Sequence, residues 1–272
     1  MKLLKIALDF YVNASIHVAL SVYCFVRITE IYFNLSYNES LDYFMFYGTI
    51  TGYNFVKYAG VAKLHHRSLT NNLKAIQIFS FICFLLMCFY GVKLSFNTLL
   101  FLVPFSLLTL LYAIPFLSGF QKNLRTISHL KIIVVALVWT GFTVLAPLVD
   151  VQSELSEVAY LAAFQRFLLV IVLILPFDIR DIKYDAISLQ TIPQKIGVEN
   201  TKKLGYFLLI ICLVLEFVIA PNSSIRNLFL IFFFALLFLL MRAKESQSKY
   251  YSSFWVESLP IFWCIILFFI AN

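Results

Sequence analysis

Acid is scarce in this chain. Its 14 Asp and Glu stand against 21 Lys and Arg, and residues 43–149 contain no carboxylate at all. Charge of either sign is scarce too, at 13% of residues, while 62% are hydrophobic. A soluble domain is about 25% charged and about 45–50% apolar, so these proportions exclude an ordinary water-soluble fold. The five cysteines (Cys24, Cys83, Cys88, Cys212 and Cys264) lie in or beside apolar runs. None has metal-ligand spacing with a nearby histidine, and they form no secreted disulfide framework. Low-complexity tracts, a soluble domain and internal repeats are all missing.

What remains is a series of long apolar runs, such as "NLFLIFFFALLFLLM", separated by short polar punctuation. Runs near 18–20 residues are long enough to cross a bilayer as helices. Nine are expected, at about 8–28, 41–60, 75–93, 98–118, 130–149, 158–177, 205–220, 225–241 and 254–271. The N-terminus begins like a signal peptide, but Asp9, Asn13 and His17 interrupt its apolar region, so it reads as a retained first span. The expected fold is all-α: one multi-pass transmembrane domain over residues 1–272.

The basic residues sort to one side. All but Arg27, Lys93, Arg166 and Arg226 fall in the N-terminus, in the connections after the second, fourth, sixth and eighth spans, or at their edges. Glu30, Glu39, Asp42, Asp150, Glu154 and Glu157 lie opposite. The positive-inside rule then puts the N-terminus in the cytoplasm and the C-terminus outside, in an inner or plasma membrane. The net charge of +7 is accounted for by topology and anionic headgroups, with no nucleic acid implied.

Against that poverty of acid, the stretch "LPFDIRDIKYDAISLQTIPQKIG" (175–197) gathers Asp178, Asp181 and Asp185 after the sixth apolar run. Their i, i+3, i+7 spacing shares one face if the helix continues. Carboxylates so close repel unless protonated or neutralised, and Arg180 and Lys183 lie off that face. Mg²⁺ would neutralise them, taking one or two carboxylates and leaving room for water and phosphate oxygens. A solvated acidic helix end is the plainer alternative.

"DIRDIKYD" followed by "TIPQKIG" resembles the second aspartate-rich motif of the UbiA superfamily of intramembrane prenyltransferases, approximately DxxDxxxD and then T-[LI]-x-x-x-x-G. "LYAIPFLSGFQKNLRTISHLKIIVVALVWT" (111–140) resembles that family's segment across the fourth and fifth spans, and "HRSLTNN" resembles the loop after its first motif. The resemblance implies a helical bundle around a lipid-accessible cavity. A prenyl diphosphate would bind there through Mg²⁺ at Asp178, Asp181 and Asp185, and the prenyl group would pass to an acceptor. Candidate ligand contacts are Asn13, Asn54, Lys63, Arg67, Tyr112 and Lys131, with snorkelling to the interface the alternative for Lys131 and interface anchoring the alternative for Tyr112.

The family's first motif is close to NDxxDxxxD, and here "GYNFVKYAGVAKLHHR" (52–67) stands in its place. Asn54 is present, but the aspartate positions hold Phe55, Tyr58 and Ala62. Lys57, Lys63, His65, His66 and Arg67 surround them. Two accounts follow. These cations bind the diphosphate directly, or catalysis is lost and the scaffold binds a lipid or a protein partner. Among charges inside spans, Arg166, Glu216 and Glu257 are expected to pair with one another, and Asn13 with His17 to share a cavity face.

Overall fold

The computed structural model describes residues 2–64, 71–114, 124, 130–151, 155–184 and 189–271. Ten helices and no strand lie among them: α1 (Lys2–Asn13), α2 (Ile16–Tyr32), α3 (Glu39–Leu64), α4 (Asn71–Gly91), α5 (Phe96–Ala113), α6 (Leu130–Asp150), α7 (Glu157–Asp181), α8 (Ile192–Ile219), α9 (Ser223–Arg242) and α10 (Tyr251–Ile270). Helix is what a bilayer demands of such a chain, because each backbone group is then satisfied within its own segment. Six helices are long and apolar enough to cross a membrane, or seven if the bent α1–α2 pair is one span. α3 and α8, with 26 and 28 residues, have the length but are interrupted by polar and charged side chains such as Asn54 and Lys57 in α3 and Lys202, Lys203 and Glu216 in α8. Counting these two, the helices fall in the places of the nine expected runs.

The first run is broken rather than continuous. α1 and α2 meet at 60°, and Ser15 between them adopts φ 62, a left-handed conformation uncommon outside glycine. The break frees the Ala14 carbonyl, which accepts a hydrogen bond of 3.0 Å from the Asn54 side chain on α3. It also separates Asn13 from His17, which do not share a helix face. His17 is buried and stacks on Phe254 with ring centroids 4.7 Å apart. Its Nε2 lies 2.9 Å from the Phe254 carbonyl and its Nδ1 2.9 Å from the Tyr11 hydroxyl. A carbonyl only accepts, so Nε2 carries the proton and Nδ1 accepts from Tyr11.

α6 widens into a π turn at Gly141–Leu145. There the Thr143 carbonyl accepts from Thr29 Oγ1 on α2 (2.6 Å), and Thr143 Oγ1 accepts from Arg166 on α7 (3.0 Å). Arg166 also donates to the Phe25 carbonyl at 3.1 Å and lies over the Phe25 ring. The expected pairing of Arg166, Glu216 and Glu257 is therefore not what the fold uses, since no ion pair joins them among the described residues. Glu216 is fully buried and accepts from the Tyr32 hydroxyl (2.7 Å) and Gln165 Nε2 (2.8 Å).

The main core lies where α2, α7, α8, α9 and α10 converge, around Phe25, Phe229, Phe232, Leu236 and Trp263. α8 approaches its neighbours closely at Gly205. A Cβ there would stand 2.5 Å from Leu240 Cδ2 and 2.9 Å from Leu175 Cδ1. On the outside, Phe84, Phe89, Leu107, Phe207, Phe217 and Phe234 are exposed, as a lipid-facing surface requires.

Candidate functional site

One cavity of about 530 Å³ opens inside the bundle, within the range that ligand pockets occupy. Side chains of α1, α2, α3, α5, α6, α7, α10 and the connection before α10 line it. Its charged part gathers Asp178, Arg180 and Asp181 from the end of α7, Lys131 from the start of α6, Lys57 from α3, and Asp9 with Lys249. Its apolar part is walled by Val134, Val138, Trp139 and Phe142 of α6, and by Leu173 and Ile174 of α7. Tyr53 of α3 joins that wall, and its hydroxyl accepts from Trp139 Nε1 at 2.9 Å. The charged part thus continues into an apolar, aromatic-lined interior.

The aspartates are held by cations. Lys131 Nζ lies 2.9 Å from Asp178 Oδ1, and Asp178 is almost fully buried. Arg180 grips the adjacent Asp181 with both arms of its guanidinium, Nε to Oδ1 at 2.8 Å and Nη2 to Oδ2 at 3.1 Å. Arg180 therefore does neutralise the acidic cluster, contrary to its expected place off the face. Adjacent residues point apart on a helix, but Asp181 is the last helical residue, so its neighbour can fold back onto it. Asp9 is likewise paired with Lys249 and accepts from the Tyr250 hydroxyl at 2.7 Å. That carboxylate raises Lys249 above its ordinary pKa.

Two local devices place this charge. Pro176 sits inside α7, and its carbonyl accepts from Gln247 Nε2 at 2.8 Å, which ties the connection before α10 to the Asp178 end. Beyond α7, residues 182–184 form a turn, and α8 starts at the "TIPQKIG" sequence. The Thr191 N–H donates to Gln194 Oε1 at 2.9 Å, half of a capping box, and Pro193 lies in the first turn. Gly197 then breaks the helix with φ 79 and ψ 165.

Of the residues expected at the site, Asp178, Asp181, Asn13, Tyr112 and Lys131 line the cavity together. Asn54 does not. It is buried behind the wall, accepting from Ser15 Oγ (2.8 Å) and donating to the Ala14 carbonyl and to Ser80 Oγ (2.7 Å). α3 turns Gly48, Thr49, Gly52, Tyr53, Val56 and Lys57 to the cavity instead. Phe55 and Tyr58, at two of the degenerate motif's aspartate positions, are not among the lining residues. Asp185, Arg67, His65 and His66, and the side chain of Lys63, lie outside the described residues. α7 stops at Asp181. The lining also includes Tyr53, Trp139, Lys249 and Glu257, which sequence reasoning did not assign to the site. Tyr53 and Lys57 do show an i, i+4 signal, whereas Lys249 and Glu257 come from the far end of the chain and leave none.

For a divalent cation, the fit test is chemical. Of the four carboxylates that line the cavity, Asp178 and Asp181 lie within one turn of each other at the end of α7, and one or two carboxylates are what Mg²⁺ takes from a protein. No cluster of three or more metal-ligating side chains occurs among the described residues. Asp178 and Asp181 therefore suit one Mg²⁺ completed by ligand and water oxygens.

No family model matches the sequence, and no curated protein matches it either. Solved structures do. A UbiA homolog from Archaeoglobus fulgidus bound to GPP and Mg²⁺ superposes with a TM-score of 0.63 at 15% identity, covering 96% of this chain and 99% of the other. The same homolog bound to DMAPP and Mg²⁺ gives 0.62 at 14%, covering 97% and 99%. A structure of digeranylgeranylglyceryl phosphate synthase gives 0.56 at 14%, covering 100% and 97%. Over 96–97% of its length, the chain has the fold of the A. fulgidus UbiA homolog.

Proposed function

We propose that this UbiA-fold protein binds an isoprenoid diphosphate in the cavity and transfers its prenyl group to an acceptor. The observation that carries the reading is the continuity of the cavity. Paired carboxylates and cations at one part open onto an interior walled by Tyr53, Trp139, Phe142 and branched aliphatic side chains. The A. fulgidus homolog of this fold is bound to GPP or DMAPP with Mg²⁺.

Asp178 and Asp181 would hold Mg²⁺, which when bound supplies positive charge where the departing diphosphate becomes negative. Lys131 and Arg180 already sit on those carboxylates, so they are placed to turn to phosphate oxygens once a metal occupies the aspartates. A bidentate Arg and a point-charge Lys both suit phosphate. The aromatic faces of Tyr53, Trp139 and Phe142 exclude water and present electron-rich rings to an allylic cation. In this reading the charged mouth faces the cytoplasm, following the sidedness of Lys and Arg.

One observation favours a second reading. Both aspartates are neutralised within the protein, and α3 brings a cation, Lys57, and no carboxylate to the cavity. That arrangement suits a scaffold that binds an anionic lipid or joins a complex without turnover. The test is binding of geranyl diphosphate to purified protein with Mg²⁺, followed by turnover with a panel of acceptors. Binding with turnover supports transfer, binding without turnover selects the second reading, and no binding removes the diphosphate reading.

A further inference from the structure

Eight Asp, Glu, Lys and Arg side chains line the cavity, and six of them are consumed in pairs: Lys131 with Asp178, Arg180 with Asp181, and Lys249 with Asp9. The two left over are Lys57 and Glu257. Neither makes an ion-pair contact within 4 Å among the described residues, although the two side chains interact electrostatically. Glu257 is fixed through its backbone instead, its carbonyl accepting from Ser21 Oγ. An ammonium group inside a membrane bundle is costly without a counter-charge, yet Lys57 is exposed and lines the cavity.

Lys57 is also not loose. Its Nζ donates to Ser15 Oγ at 2.9 Å, Ser15 Oγ donates to Asn54 Oδ1 at 2.8 Å, and the Asn54 amide is anchored on the Ala14 carbonyl and Ser80. This relay explains why a non-glycine residue occupies the left-handed elbow between α1 and α2. Ser15 supplies a hydroxyl that glycine lacks. The relay is neutral, so it orients the ammonium without cancelling its charge. An ammonium has three protons to donate, and the relay uses one.

Resting on the diphosphate reading, we propose that Lys57 is an anion-binding residue that takes phosphate oxygens of the ligand without a metal, and that Ser15 and Asn54 position it. The degenerate α3 sequence then has a physical sense. A fixed protein cation supplies charge opposite the Asp178–Asp181 pair, and part of the affinity for the diphosphate becomes independent of Mg²⁺.

The experiment measures binding of geranyl diphosphate and of inorganic pyrophosphate to the purified, detergent-solubilised protein, in Mg²⁺ and in EDTA. The wild type is expected to retain geranyl diphosphate binding in EDTA, with pyrophosphate competing. Lys57→Gln should weaken binding by about ten- to a hundredfold in both conditions, the range of a charge-assisted contact. Lys57→Arg should keep most of it, Ser15→Ala should show a smaller loss than Lys57→Gln, and Asp178→Asn should leave the EDTA component intact. Wild-type binding that vanishes in EDTA overturns the role of Lys57 while leaving the diphosphate reading standing. So does Lys57→Gln binding as tightly as wild type. A wild type that binds neither probe in either condition overturns both.

Discussion

Lys131 Nζ on α6 stands 2.9 Å from Asp178 Oδ1 on α7, so a buried carboxylate of the acidic cluster is neutralised by a neighbouring helix before any ligand arrives. This relationship orders the energetics of the site. Removing one member of a buried pair leaves the other as an uncompensated charge, which costs more than removing both.

Lys131→Met should therefore lower stability by about 1–3 kcal/mol, below the full buried-pair figure because the Lys131 side chain retains 20% exposure. Lys131→Met combined with Asp178→Asn should recover part of that loss. Thermal unfolding of the four proteins in one detergent measures the coupling. Strictly additive single effects would show that the two groups do not depend on one another.

Glu216 and Glu257 are both carboxyls within the bundle, but their surroundings separate their roles. Glu216 is fully buried, accepts from Tyr32 and Gln165, and does not line the cavity. Glu216→Leu strands two buried donors and should cost about 1–3 kcal/mol of stability for each that stays unsatisfied. In protein that remains folded, geranyl diphosphate affinity should be unchanged. Glu257→Gln should show the reverse pattern: little change in unfolding temperature, because no ion pair is lost, and altered ligand binding, because its side chain lines the cavity. Unfolding scans paired with binding isotherms check both, and a binding defect in folded Glu216→Leu would contradict the assignment.

Much of this was legible in the sequence. Apolar runs of bilayer length located the helices, and the motif from Asp178 to Gly197 pointed to the family whose fold the chain shares. The failures have physical causes. Hydropathy registers the α1–α2 run as one span because the break rests on a single residue, Ser15, stabilised by Asn54 from a helix about 40 positions later. Motif spacing put Asn54 in the site, but the rotation of α3 is set by packing and turns Tyr53 and Lys57 inward instead. Arg180 was placed off the acidic face by helical geometry that stops applying at the last helical residue. The pairing of Asp9 with Lys249 joins the two ends of the chain, and no local pattern encodes it.

Sidedness is open to direct measurement. With the charged mouth on the cytoplasmic side, Lys195→Cys should be protected from a membrane-impermeant maleimide in intact cells. Glu154→Cys should be labelled. Cys88 is exposed in the fold, so both variants are best made in a background where Cys88 is replaced by Ser. Labelling of Lys195→Cys from outside would reverse the orientation.

Gly197 gives the sharpest backbone test, because contact and conformation separate there. Its φ 79 and ψ 165 lie in a region essentially restricted to glycine. A Cβ at this position would meet nothing within 4 Å. A substitution therefore carries no steric overlap with neighbours, and its whole cost is backbone strain of about 1–3 kcal/mol. Asparagine tolerates the left-handed helical region, but at ψ near 50° rather than 165°, so it should not rescue. Gly197→Ala and Gly197→Asn are thus expected to lower the unfolding temperature by similar amounts. Gly205→Ala should also destabilise, for the different reason that its added methyl runs into Leu240 and Leu175. A Leu240→Ala change should relieve Gly205→Ala and leave Gly197→Ala unaffected. If Gly197→Ala proves neutral, residues 192–196 join the rest of α8 as one continuous helix, and the glycine ending the "TIPQKIG" sequence is not needed for the break.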